Sequence, residues 1–236
     1  MLAIIIPAHN EAAHIGASVA AACRAATCHQ LSGEPVRVIV VLDSCTDQTG
    51  DIALAHGAQV TAIDARNVGR ARAHGAALAL DLGARWLAFT DADTTVAEDW
   101  LVRQLDCHAD AVCGVIGVHD WSPHIHAVRE HFGRTYMDAD GHRHVHGANL
   151  GVSAQAYLHA GGFPPLESSE DVALVEALMA SGAKIEWSAM PRVVTSARLD
   201  FRAQKGFGAT LLEVSKRYLP AASDAGDSND AAAIAA

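Results

Sequence analysis

The chain lacks most of the features that assign a protein quickly. Its 236 residues include five cysteines, Cys23, Cys28, Cys45, Cys107 and Cys113, an odd set with no CxxC pair. That pattern argues against a disulfide framework and a structural zinc site, and fits a reducing, cytoplasmic location. No apolar run approaches the ~20 residues of a membrane-spanning helix. The run Ile4-Ile5-Ile6, ended by Pro7, is too short for a signal peptide and has no basic flank. Positive charge is also scarce: 17 Lys and Arg stand against 27 Asp and Glu, a net charge of −10. No bulk field therefore draws in a nucleic-acid backbone or an anionic bilayer. Expected partners include no nucleic acid, and no integral membrane segment is expected.

What is present is alternation. Short β-branched runs at Ala3–Pro7, Val36–Leu42, Ala58–Ile63 and Arg85–Thr90 alternate with alanine-rich periodic segments at Glu11–Thr27, Thr46–His56 and Gly69–Leu82. This pattern predicts an α/β fold with a mainly parallel sheet between helices. Beyond residue 95 the expected elements are a helix at Glu98–His108, a strand at Ala111–Val118, a histidine-rich stretch and a strand at His146–Ser153. Helices at Ala154–Ala160 and Asp171–Ser181, one or two edge strands within Lys184–Thr195, and a last amphipathic helix at Phe201–Tyr218 complete the reading. One domain, residues 1–219, is expected, with a nucleotide-binding half at 1–95 and an acceptor-binding half at 96–219. The small and acidic residues of 220–236 predict a disordered tail.

The carboxylates concentrate where such folds bind ligands, outside the carboxyl ends of the strands. Glu11 follows the first strand, Asp43 ends the second, Asp64 the third, and Asp91 and Asp93 the fourth. Like charges so gathered need a cation among them, and hard oxygen ligands suit Mg²⁺ or Mn²⁺. GxGxxG, GxxxxGK[ST] and GxSxG motifs are all missing, which removes the main support for dehydrogenase, P-loop and serine hydrolase readings.

The motifs, in order, are Ile4-Ile5-Ile6-Pro7-Ala8-His9-Asn10-Glu11, Val40-Val41-Leu42-Asp43-Ser44-Cys45-Thr46-Asp47 and Asn67-Val68-Gly69-Arg70-Ala71-Arg72. Then follow Thr90-Asp91-Ala92-Asp93, Gly161-Gly162-Phe163 and Ser169-Glu170-Asp171. Together they resemble the family 2 glycosyltransferases of the GT-A fold, over roughly residues 1–198. The resemblance implies a nucleoside-diphosphate sugar donor, a hydroxyl acceptor, a Mn²⁺ or Mg²⁺ cofactor and inversion at the transferred sugar. It places Pro7, Ala8 and Glu11 along the nucleotide, Asp43 at the base or ribose, and Arg70 or Arg72 at the base or diphosphate. Asp93 would bind the metal directly, with Asp91 also a ligand but nearer the ribose. Asp171 would be the general base, with Glu170 the competing candidate. His146, Asn149 and Gly162 would lie on the acceptor or sugar side, and Arg198 at the diphosphate.

Simpler readings stand beside these. Asp43 and Asp64 also suit helix N-caps, and two acids starting a helix are favoured by its dipole. Among 14 histidines, His142, His144 and His146 alternate on a predicted strand, which puts them on one face. Trp100, Trp121 and Trp187 read as core. The segment Trp121–His146, which departs most from the pattern of the family the chain resembles, is expected to shape acceptor choice. A sugar-nucleotide-forming nucleotidyltransferase, an inactive binding module of the same fold and a histidine-based metallohydrolase are the rival readings. The first calls for a basic glycine-rich loop that Pro7–Glu11 is not, the second has no use for a base, and the third lacks HExxH.

Overall fold

The computed structural model describes residues 1–201 and 206–218. The first half runs β1 (Leu2–Ala8), α1 (Ile15–Ala26), β2 (Val36–Asp43), α2 (Thr49–Ala55), β3 (Gln59–Ile63), α3 (Val68–Asp81) and β4 (Trp86–Phe89). The second half runs β5 (Thr94–Val96), α4 (Trp100–Asp106), β6 (Ala111–Val118), α5 (His126–Thr135), β7 (Leu150–Ser153), α6 (Ala154–His159), α7 (Glu170–Ala180), β8 (Ile185–Thr195) and α8 (Phe207–Tyr218). One eight-stranded sheet has the order β3-β2-β1-β4-β7-β6-β8-β5. Strands β1 to β4 are mutually parallel, whereas β7 lies antiparallel between β4 and β6.

Helices cover both faces, and strand alternation decides what each face buries. Ile4, Ile6, Val38 and Val40 meet Ile15, Val19 and Trp100 on one side. Ala3, Ile5, Ile39 and Val41 meet Ala71, Ala76, Leu174 and Leu178 on the other. The β-branched runs are therefore strands buried on both faces. Small residues bring α3 close: a methyl on Gly75 would lie 2.5 Å from Ile5 Cγ2 and 2.9 Å from Val41 Cγ2. Gly75→Ala is expected to destabilise the fold by about 1–3 kcal/mol through overpacking, read as a lower urea midpoint at unchanged slope.

Several expectations shift. The Lys184–Thr195 region is a single strand, β8, paired along its length with β6 and at its end with β5, not a free edge. It bulges where Gly114 pairs Ser188 but Val115 pairs Arg192, around Pro191, which has no N–H for a ladder. The strand expected from His146 begins at Leu150. Residues 142–146 form no regular element. Helix α5 lies in the histidine-rich stretch, where the sequence carries no apolar helical stripe: its one buried residue is Val128. It packs with α8 through Val128, Leu211 and Val214. The expected tail at 220–236 lies outside the described residues. Among the described residues no helix is long and apolar enough to cross a membrane.

Candidate active site

The loops after β1, β2 and β3 are laced together by side chains. His9 Nδ1 donates to the Asp43 carbonyl at 2.6 Å, and Asn10 Oδ1 accepts from Thr46 N–H at 2.8 Å. Asp43 does not cap a helix; its carboxylate gathers the backbone N–H groups of Ala65, Arg66 and Asn67 at 2.8, 2.7 and 2.6 Å. Burial alone would raise its pKa, but these donors and the Ser44 hydroxyl hold it below the usual carboxylate range. Asp64 does not cap either. It accepts from Ser44 Oγ at 2.6 Å, while Asn67 caps α3 by accepting from Arg70 N–H. Pro7 and Ala8 lie at the end of β1 beside this wall.

Beside that wall, the carboxylates of Glu11, Asp91, Asp93 and Glu170 meet two guanidiniums. Arg198 grips Glu11 with two hydrogen bonds of 2.6 and 2.5 Å, and its Nε lies 3.2 Å from Asp93 Oδ2, an ionic contact. The antiparallel pairing of β5 with β8, with Thr94 and Thr195 hydroxyls 2.8 Å apart, brings residue 198 back to the Asp91–Asp93 turn. Arg72, 3% exposed, hydrogen-bonds Glu170 through Nη1 and Asp91 Oδ1 through Nη2 at 2.6 Å. Its guanidinium carbon sits 5.8 Å from the Phe163 ring centroid. Arg72 thus points inward between carboxylates, which differs from the expectation of a base or diphosphate contact. Arg70 is exposed.

Asp171 lies in the first turn of α7, after Ser169 at φ +62°. Its Oδ2 accepts the Gly147 N–H at 2.7 Å and its Oδ1 the Val172 N–H at 2.8 Å. Both oxygens keep further lone pairs. Glu170, its neighbour, is 3% exposed and turned inward to Arg72.

The histidines form a stacked column, not a strand face: His142 and His144 centroids are 5.4 Å apart, His144 and His146 5.8 Å. Tyr136 stacks on His144 at 4.1 Å and its hydroxyl shares a hydrogen bond with His146 Nε2 at 3.0 Å. Burial and the neighbouring imidazoles hold His146 at about 4, so it is neutral. Among the described residues no three His, Cys, Asp or Glu are gathered to hold a metal ion. Asn149 is consumed internally: Oδ1 accepts from Trp100 Nε1, and Nδ2 donates to the Val115 and Pro191 carbonyls. Its amide therefore has no free donor, contrary to its expected place facing the acceptor. Gly162, at φ +73°, turns the chain after α6 and packs on the Tyr157 ring.

The fit to a divalent cation is electrostatic. Four carboxylates, Glu11, Asp91, Asp93 and Glu170, meet two guanidiniums, an excess of two negative charges when all four are ionised. Burial, then the charge of Asp91, push Asp93 up to about 7 despite Arg198. Because the folded chain favours protonated Asp93, the stability this group contributes is complete below its unfolded value, about 3.8. It is lost as pH rises through about 7. Metal-free protein is thus expected to melt at a lower temperature at pH 8 than at pH 5. A melting temperature that rises across this range, after subtraction of the Asp93→Asn curve, contradicts the assignment.

A family model described as glycosyl transferase family 2 matches residues 3–155. The chain belongs to this family. Its sheet, with one antiparallel strand inside a parallel array, is the GT-A fold shared with solved glycosyltransferases. S. aureus TarS 1–349 in complex with UDP-GlcNAc is 15% identical with a TM-score of 0.66, over 90% of this chain and 64% of that one. The mannosyltransferase PcManGT from Pyrobaculum calidifontis, in complex with GDP-Man and Mn²⁺, is 17% identical with a TM-score of 0.62, over 85% and 58%. Glucosyl-3-phosphoglycerate synthase from Mycobacterium tuberculosis, with Mn²⁺, UDP and glucosyl-3-phosphoglycerate, is 17% identical with a TM-score of 0.59, over 91% and 77%. The chain spans less than two thirds of the TarS fragment. No curated protein sequence matches it.

Proposed function

We propose that this family 2 member transfers a sugar from a nucleoside-diphosphate sugar to an acceptor hydroxyl, with inversion, and with Asp171 as the general base. The observation that carries the proposal is the contrast between adjacent acids. Glu170 is buried as the counter-ion of Arg72, while Asp171 is partly exposed and held by two backbone N–H groups. A fixed carboxylate with spare lone pairs can take the acceptor proton as its oxygen attacks the anomeric carbon. Attack from the face opposite the diphosphate inverts that carbon.

Asp91 and Asp93 would hold Mn²⁺ or Mg²⁺, whose charge stabilises the departing diphosphate. Two carboxylates with donor phosphates completing the coordination is the usual arrangement for such ions. Arg198, whose two Nη groups are held by Glu11, would exchange that pairing for the diphosphate to act as a bidentate donor. Pro7, Ala8, Glu11 and Asp43 line the nucleotide, and exposed Arg70 is the nearer of the two α3 arginines to solvent. His146 would face the acceptor side as a neutral group. The test is incubation with UDP-, GDP- and dTDP-sugars and a panel of hydroxyl acceptors, with the product's anomeric configuration read by NMR. Inverted product supports the reading; retention of configuration overturns it.

A further inference from the structure

We infer that Arg72 is a positioning residue that couples the donor-side carboxylate Asp91 to the helix carrying Asp171, and is not a nucleotide contact. The inference rests on the reading of Asp171 as the base. Three observations carry it. First, both Nη groups of the guanidinium go to protein carboxylates, Nη1 to Glu170 and Nη2 to Asp91, from a side chain 4% exposed, while its buried Nε–H has no hydrogen-bond partner among the described residues. Second, it is enclosed on its faces. Phe163 lies 5.8 Å away, and Gly147 is so close that a methyl there would fall 2.3 Å from both Nη atoms. Third, both of its contacts on the acceptor side lead to the base. Glu170 precedes Asp171 in the first turn of α7, and the Gly147 N–H donates to Asp171 Oδ2 at 2.7 Å.

A planar fork fits this place and an ammonium does not. Arg presents two divergent donors in fixed geometry, whereas Lys is a point charge on a flexible stem. Lysine at 72 would retain the charge beside Asp91 yet could not hold two carboxylates in a fixed relation while lying flat against Gly147. The turn of Asp91 is fixed independently, because Ser18 Oγ donates to its carbonyl at 3.0 Å. Loss of the fork should therefore disturb the base more than the nucleotide. Glycine at 147 is explained in the same terms: its φ is not left-handed, so what the position forbids is the side chain itself.

The experiment is a double-mutant cycle with three enzymes, Arg72→Lys, Asp171→Asn and the pair, each assayed for kcat and for binding of nucleoside diphosphate with Mn²⁺. Arg72→Lys should lower kcat by about 10–100-fold with the nucleotide Kd within about threefold. The pair should be no slower than Asp171→Asn alone, because Arg72 acts through the base. Gly147→Ala, which pushes on the guanidinium without altering it, should reproduce the fall in kcat. A nucleotide Kd that weakens in proportion to kcat, additive losses in the double mutant, or full turnover in folded Arg72→Lys and Gly147→Ala would each overturn the inference. Asp171→Asn with undiminished turnover would instead overturn the reading of the base, which the same series reveals separately.

Discussion

Asparagine at position 171 is expected to lower kcat by about 10²–10⁴, the usual contribution of a general base. The nucleotide Kd should stay within about threefold, since the substitution leaves the donor side intact. The reason is local. Asn is nearly isosteric, and its carbonyl can still accept one of the two N–H bonds that Gly147 and Val172 donate to Asp171. What it cannot do is accept a proton from an attacking hydroxyl. Glu170→Gln should behave differently: it removes the counter-ion of a buried arginine and is expected to lower the melting temperature as well as activity. A large stability loss in Asp171→Asn, or a catalytic loss confined to Glu170→Gln, would exchange the two assignments.

The second large effect concerns Asp93. With Asp93 as the proposed metal ligand, Asp93→Asn is expected to weaken Mn²⁺-dependent nucleotide binding by at least the roughly 10–100-fold that loss of an outer partner costs. Stability should move the other way. Asp93 is pushed up to about 7 by burial and by Asp91, with Glu11 adding to the effect, so an uncharged amide relieves repulsion. The metal-free Asp93→Asn protein is therefore expected to melt no lower than wild type at pH 8. Ordinary damage to the fold lowers both quantities. A variant that gains or keeps stability while losing metal-dependent binding is the signature of a site built against its own stability. Melting curves with and without Mn²⁺, together with Mn²⁺ titrations, read both effects.

Much of this was legible in the sequence because it depended on local pattern. The β-branched runs of β1 and β2 predicted strands, and the acids at their ends predicted a ligand site, since both follow from alternation and chain order. The motif order placed Asp91, Asp93, Glu170 and Asp171 among the candidates for that site. Partnership was not legible. Arg198 reaches Glu11 across 187 positions of sequence, through a three-residue strand, Thr94–Val96, too short to leave a periodic signal. Arg72 and Arg70 are equivalent by motif and differ only in which face of α3 they occupy: Arg72 shares the buried side with Gly69, Ala76 and Ala79, and Arg70 is exposed. That helical spacing was readable and would have turned Arg72 inward. Alternation of His142, His144 and His146 correctly implied a shared side, but the strand did not form; ring stacking with Tyr136 holds the row instead. Asn149 matched by neighbourhood, yet its three internal hydrogen bonds reach Trp100, Val115 and Pro191, residues no local pattern connects to it.

The acidic cluster at the ends of β1 and β4 is proposed to bind a nucleoside diphosphate through a divalent cation. Calorimetric titration of the protein with UDP, GDP and dTDP, in Mn²⁺ and again in EDTA, tests it most directly. Binding of one nucleotide in Mn²⁺, abolished by EDTA and by Asp93→Asn, is the predicted result. Equal affinity in Mn²⁺ and EDTA, or no binding of any of the three nucleotides by protein that is folded and melts cooperatively, would contradict it.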